Sequence, residues 1–311
     1  MADITEQSVA DAPIAGQSPF RETMARILAN TSVRIGGILV SLIVLMGLLA
    51  PYLGTTDPTK ISPRNRYKEP GYEAQVRNYE TGQKEAVIFR LGSDSLGRDL
   101  YSRVIYGART SLVVGLLVAG IAIAVGLGLG LVAGYFRLAD GIIMRFMDGM
   151  MAIPAILMAI AVVSVFGAGL VSVIVAIVVA EVPRVVRLVR SVVLSIREEP
   201  YVEAAITAGT PTPTLLIRHV LPNTLAPLIV QGTFIVASAI IIEAILSFLG
   251  IGIPPETPTW GNIMAEGREA FQLHPYIILY PGLILALTVL SVNILGDGLR
   301  DTMDPRFAKR A

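Results

Sequence analysis

From Ser111 to Phe136 the chain runs for 26 residues without a charged side chain. A helix of about 20 mostly apolar residues fills the hydrocarbon core of a bilayer. In that core a helix also satisfies its own backbone. Ile35–Thr56 and Ala270–Gly296 are equally free of charge, and Thr224–Ile253 carries only Glu243. Composition agrees: 16% of residues are charged, against about 25% in average soluble domains. The formal net charge of +1 gives no global basic field for nucleic acid. There is no cysteine, which excludes disulfides, thiolate nucleophiles and thiolate metal sites. His219 and His274 have no companions at ligand spacing, so no metal site is expected.

The residues predict an all-α membrane protein. Residues 1–34 are expected to form a cytoplasmic tail, flexible over the first twenty, because they lack the early positive charge and short apolar core of a secretory signal. The first span falls at about 35–54, and an extracytoplasmic connection follows at 55–110. A five-helix core covers 111–302, and 303–311 form a second tail. The charge-free stretch Gly149–Ala180 is too long for one helix. The glycines of Phe166–Leu170 allow a turn there. Two helices then fit if the first begins near Met144 and the second runs to about Val193. The second would carry Arg184, Arg187 and Arg190 in one stripe, reaching toward an aqueous face.

Charge bias decides the count. With six spans and both termini inside, the cytoplasmic segments hold Arg21, Arg26, Arg34, Arg137, Arg145, Arg184, Arg187, Arg190, Arg197, Arg218, Arg300, Arg306, Lys309 and Arg310. The short outer connections hold only Arg268. Cytoplasmic loops favour arginine and lysine, so six spans are preferred to five.

Glu198–Asn223 then lies in the cytoplasm. It reads EEPYVEAAITAGTPTPTLLIRHVLPN. Acidic residues and Pro200 favour a helix start at Tyr201. Gly209 suits a left-handed terminator. Pro211 or Pro213 opens a second helix, whose apolar face is Leu215, Leu216, Val220 and Leu221, and Pro222 closes it. Chemistry alone leaves two readings open: a linker helix packed on the bundle, or a short helix that docks into a partner's groove.

The spacing Glu203-Ala204-Ala205, three residues, Gly209, nine residues, His219-Val220-Leu221-Pro222 resembles the EAA motif of bacterial ABC importer permeases. His219 stands where the general pattern has isoleucine, and RHVLPN is similar to the RHILPN of the peptide branch. LGSDSLGRDLYSRVIYGARTSL, ADGIIMRFMDGMMAIPAILMA, EAILSFLGIGIPPETPTWGNIM and LGDGLRDTMDP resemble the C-type subunits of peptide permeases, in the same order. Only the tail and about Pro58–Ile88 find no counterpart.

That resemblance implies a type I, MetI-like importer permease in a bacterial cell membrane. It implies a second homologous permease, two ATP-binding subunits, an extracytoplasmic solute-binding protein and a di- or oligopeptide substrate. Nickel or glutathione is the alternative cargo. Glu203, Ala204, Ala205, Gly209, His219, Leu221 and Pro222 would form the segment that couples to an ATPase subunit. ATP and magnesium would sit on those subunits, with no cofactor on this chain. The chain has no G-x-x-x-x-G-K-[ST] sequence. Gly126, Gly128, Gly130 and Gly134 lie within an apolar span, where close helix packing is the better reading.

Glu243, late in span five, must face the bundle interior or water. It is expected to be a structural acceptor or part of an outer gate of the path. Trp260 suits a membrane interface, with contact to an external binding protein as the second reading. Arg145 with Asp148, and Asp297 with Arg300, are expected to pair. An ion-driven secondary transporter would show partnered intramembrane carboxylates and matching halves. A membrane hydrolase would show a nucleophile near a base or metal. Neither pattern is evident.

Overall fold

Asn30 begins the first long helix: its Oδ1 accepts from the amides of Ser32 and Val33, at 2.8 and 3.2 Å. The computed structural model describes residues 19–77 and 84–303. Helix α2 spans Thr31–Leu48, and a shorter α1, Pro19–Ala29, precedes it. Part of the expected tail is therefore helical, and α1 lies against α2 and a later helix. Residues 1–18 and 304–311 of the expected tails fall outside the described residues.

The expected connection 55–110 is not all loop, and the chain is not purely helical. Tyr72–Arg77 (β1) and Lys84–Phe89 (β2) pair antiparallel, with Tyr72 opposite Phe89. Helix α3 then starts at Leu100, ahead of the apolar run, and continues to Tyr135. Asp99 caps it, accepting from the Ser102 amide at 3.0 Å and from the Ser102 hydroxyl. That capping bond sets the start.

The largest correction lies in Gly149–Ala180. No continuous helix runs from Met144 to the glycine turn. Helix α4 (Arg137–Met151) and α5 (Ala155–Phe166) meet at a bend of 93°. Pro154 explains the break: it lacks an amide hydrogen, and it drives the residue before it away from helical angles. The glycine turn forms where expected, with Gly167 at φ +84°. Helix α6 then spans Leu170–Ile196.

α3 and α6 share the most extensive helix contact. A Cβ on Gly126, Gly130 or Gly134 would lie 2.5–2.6 Å from a carbon of Val185, Val189 or Val193 respectively. The absent side chains let the backbones approach. Gly128 points elsewhere, with nothing within 4 Å of its Cβ position. Ile177, Val185, Val189 and Ile235 are fully buried in the core between α3, α6 and the helix after them.

That helix is unusual. Short helices α7 (Pro200–Thr207) and α8 (Thr212–Leu215) lead into a π-turn at Leu216–Val220 and then α9 (Leu221–Phe248). Pro222 therefore closes nothing. Its ring would clash with the carbonyl four residues back in a regular helix. The π-turn supplies an extra residue there, and the Leu221 amide reaches back to the Leu216 carbonyl. Thr212–Phe248 is one apolar helix of 37 residues. A short α10 (Trp260–Gly267) and the long α11 (Tyr276–Met303) complete the chain.

Among the described residues, four helices are long and apolar enough to cross a membrane: α2, α3, α8–α9 and α11. The bent pair α4–α5 makes a fifth if it counts as one span.

Candidate functional site

The segment Pro200–Leu215 is a helical hairpin built on local chemistry. Pro200 occupies the first helical position, and Glu203 sits in the first turn. The far end closes with two bonds: the Thr210 amide donates to the Ala205 carbonyl at 3.1 Å, and the Gly209 amide to the Ile206 carbonyl at 2.9 Å. This is the Schellman pattern, and it needs a left-handed residue. Gly209 supplies it at φ +78°. Both prolines then fit, because Pro211 caps α8 and Pro213 lies in its first turn, where no amide hydrogen is missed.

One face of the hairpin is held. Val202, Leu215 and Val220 are fully buried in the main core, with Ala205 partly buried against it. Asn223 Nδ2 donates to the Tyr201 hydroxyl at 3.2 Å and to the His219 carbonyl at 2.8 Å. His219 and Leu221 are half-buried. The other face is open: Glu203, Ala204, Ile206, Thr207, Gly209 and Pro222 are exposed. The Glu203 carboxylate makes no hydrogen bond or ion pair among the described residues. A partly apolar surface with one free carboxylate is thus presented outward.

The stripe on α6 does not simply reach for water. Arg190 holds both oxygens of Asp140, and Arg187 Nη2 lies 2.6 Å from Asp148. Arg145 is not the partner of Asp148, because the bend after Met151 swings α4 onto α6. Arg184 Nη1 donates to both oxygens of Glu181, at 3.0 and 3.2 Å. Ser238 Oγ adds a donation to Glu181 Oε1 at 2.9 Å. No ion pair joins Asp297 and Arg300; both are exposed at the end of α11.

Glu243 and Trp260 lie at the opposite end of α9, and both are fully buried. Glu243 accepts from Ser247 Oγ at 2.8 Å and from Ser111 Oγ at 3.3 Å. Trp260 Nε1 donates to the Val104 carbonyl at 3.0 Å. The Trp260 ring, expected at a membrane interface or against an external protein, is not exposed in this structure. It is packed against α3, where Gly107 leaves room for it.

A second cluster went unnoticed in the sequence. Arg98 Nε lies 2.6 Å from Asp94 Oδ2, and Arg98 also pairs with Glu266. Arg103 Nη2 lies 3.0 Å from Glu266 Oε1. Asp94 and Arg103 are fully buried. Burial also pushes the neighbouring Asp99 carboxyl above its ordinary range. The signal was the charge alternation of Ser93–Arg103; the missing part was Glu266, 163 residues beyond Arg103.

A profile of the family described as "Binding-protein-dependent transport system inner membrane component" matches residues 126–309. A second, "N-terminal TM domain of oligopeptide transport permease C", matches residues 18–70. A probable peptide ABC transporter permease protein of Sinorhizobium fredii is 48% identical over 294 residues, covering 92% of this chain and 96% of that protein. A putative peptide transport system permease protein of Brucella abortus is 41% identical over 307 residues, 99% of both chains. A subunit of the inward-facing MetNI methionine ABC transporter superposes with a TM-score of 0.53 at 17% identity, covering 65% of this chain and 97% of that one. The last likeness concerns the fold alone. The chain belongs to the family of binding-protein-dependent transport system inner membrane components.

Proposed function

We propose that this chain is one of two transmembrane subunits of an ATP-driven importer for di- or oligopeptides in a bacterial cell membrane. One observation carries the reading. The hairpin Pro200–Leu215 presents a free carboxylate outward and runs without interruption into the 37-residue helix that ends at Phe248. A partner that moves the hairpin therefore moves a whole span. The peptide assignment is supported by the names of the relatives and by the segments shared with peptide permeases.

In this reading the chain crosses the membrane six times, with both termini in the cytoplasm. The spans are α2, α3, the bent α4–α5, α6, α8–α9 and α11. α6 carries Glu181, Arg184 and Arg187 within its length, which is acceptable where a charged side chain faces protein or a water-filled cavity. The second permease closes that cavity. Two ATPase subunits hold ATP and magnesium and receive Glu203, Ala204 and Gly209. An external binding protein delivers the peptide. ATP binding favours the state in which the ATPase subunits are closed, and transport follows from that difference between states. Glu243 and Trp260 lock the outer ends of α9 and α10 rather than line the path.

The test is a reconstituted complex of both permeases, the ATPases and the binding protein in proteoliposomes. Uptake of labelled dipeptide should require ATP and persist when proton and sodium gradients are collapsed. Glu203→Lys should abolish uptake while the complex still assembles. Uptake driven by an ion gradient without ATP would sink the importer reading, and unchanged coupling in Glu203→Lys would sink the docking role. Nickel or glutathione imported in preference to dipeptides would reassign the cargo.

A further inference from the structure

Arg184 is the fifteenth of the 27 residues of α6, which places it about 21 Å along the helix at 1.5 Å per residue. Its side chain is 48% exposed, while the Glu181 carboxylate beside it is 1% exposed. With α6 as a span in the importer reading, a half-exposed guanidinium that far along the helix cannot rest in lipid at small cost, and that reading turns it toward the cavity closed by the second permease.

The geometry of its nitrogens is informative. Arg184 spends only Nη1 on Glu181. Nε and Nη2 have no protein partner among the described residues. Those two nitrogens form the planar edge that grips a carboxylate with two parallel bonds. Six residues further along the same helix, Arg190 shows that edge in use, holding both oxygens of Asp140. Arg184 is thus posed by a buried carboxylate with its gripping edge left open. Ser238 on α9 keeps Glu181 in place from the other side.

A groove opens one helical turn from Arg184. A groove of about 480 Å³ lies between α6, α9 and α11, lined among others by Leu188, Gln231, Phe234 and Arg300. Leu188 is one turn from Arg184, and Arg300 stands at the α11 end of the groove. Arg300 lines the groove, and Arg184 lies one helical turn beyond its lining on α6. Glu181 partly offsets the charge of Arg184, which keeps any grip weak. A path needs sites that admit a solute and also release it.

We propose that Arg184 is a specificity-determining residue of the translocation path, and that its open edge meets the free carboxylate of a peptide substrate. Glu181 is its positioning residue. The inference rests on the importer reading above and adds the chemistry of recognition within the membrane.

The experiment uses the complete complex in proteoliposomes. A dipeptide is compared with its C-terminal amide, chosen so that the isolated binding protein holds both equally well. Initial uptake is measured at saturating loaded binding protein. The wild-type complex should prefer the free acid by about tenfold, the scale of a hydrogen-bonded charge pair. Arg184→Met and Arg184→Gln should bring the ratio near one while binding-protein-stimulated ATP hydrolysis persists. Arg184→Lys should keep only part of the preference, because an ammonium retains the charge and loses the two parallel bonds. A wild-type ratio near one overturns the proposal, as does an unchanged ratio in both neutral variants. Loss of the second permease in both would make Arg184 an interface residue and overturn it too. If the wild-type complex imports neither peptide with ATP, the importer reading itself falls.

Discussion

The Arg190 guanidinium donates to both oxygens of the Asp140 carboxylate, across fifty residues and across the bend that separates α4 from α5. The pair fixes α4 against α6 at a place where the chain has no continuous helix to do so.

Asp140→Asn should therefore loosen the bend. Partly exposed ion pairs contribute up to about 1 kcal/mol. We expect a midpoint lower by about 2 °C in detergent for Asp140→Asn. Asp148→Asn breaks the more exposed pair with Arg187 and should change less. Thermal scans of the purified subunit, side by side, check the order of the two.

Gly209→Ala should disturb the hairpin without any steric clash. Nothing lies within 4 Å of its Cβ position, so the cost is that of φ +78° alone. A left-handed alanine costs about 1–2 kcal/mol. Gly209→Asn, which tolerates that region better, should lose less. ATP-coupled uptake by the reconstituted complex should fall in the order glycine, asparagine, alanine.

Gly130→Ala and Gly128→Ala should separate sharply. The first puts a Cβ 2.6 Å from Val189, and the second meets nothing. Overpacking typically costs about 1–3 kcal/mol. The first variant should lower the thermal midpoint and the yield of folded protein, and the second should leave both unchanged.

Glu266→Ala should be the most damaging single change outside the main core. It removes the carboxylate shared by Arg98 and Arg103, both nearly or fully buried. Removing one partner of a buried pair costs about 3–5 kcal/mol. We expect a large drop in midpoint, read best as the survival of folded protein after mild heating.

Much of this architecture was legible in the residues because lipid imposes a blunt rule on side chains. Long uncharged runs gave α2, α3, α9 and α11, and the glycine turn at Gly167 fell where expected. The hairpin at Pro200–Leu215 was readable from its proline, its glutamates and Gly209. What stayed hidden depended on partners distant in sequence. Pro154 was visible, but the size of the bend comes from α4 folding back onto α6. Pro222 looks like a stop, and becomes tolerable only through the π-turn before it. The Arg98–Glu266–Arg103 cluster joins residues more than 160 apart, and no local pattern announces that meeting. Trp260 carries the amphipathic signature of an interface residue, and its burial against Gly107 and Val104 was not legible in that signature.

The π-turn at Leu216–Val220 has a consequence for how the two ends of this helix are aimed. One residue of helix corresponds to a rotation of about 100°. The turn thus acts as a fixed gear offset between the outward face of Glu203 and every side chain from Leu221 to Phe248. Shortening it by a single residue would leave both flanking sequences intact and swing the exposed carboxylate about a quarter of the way round the axis.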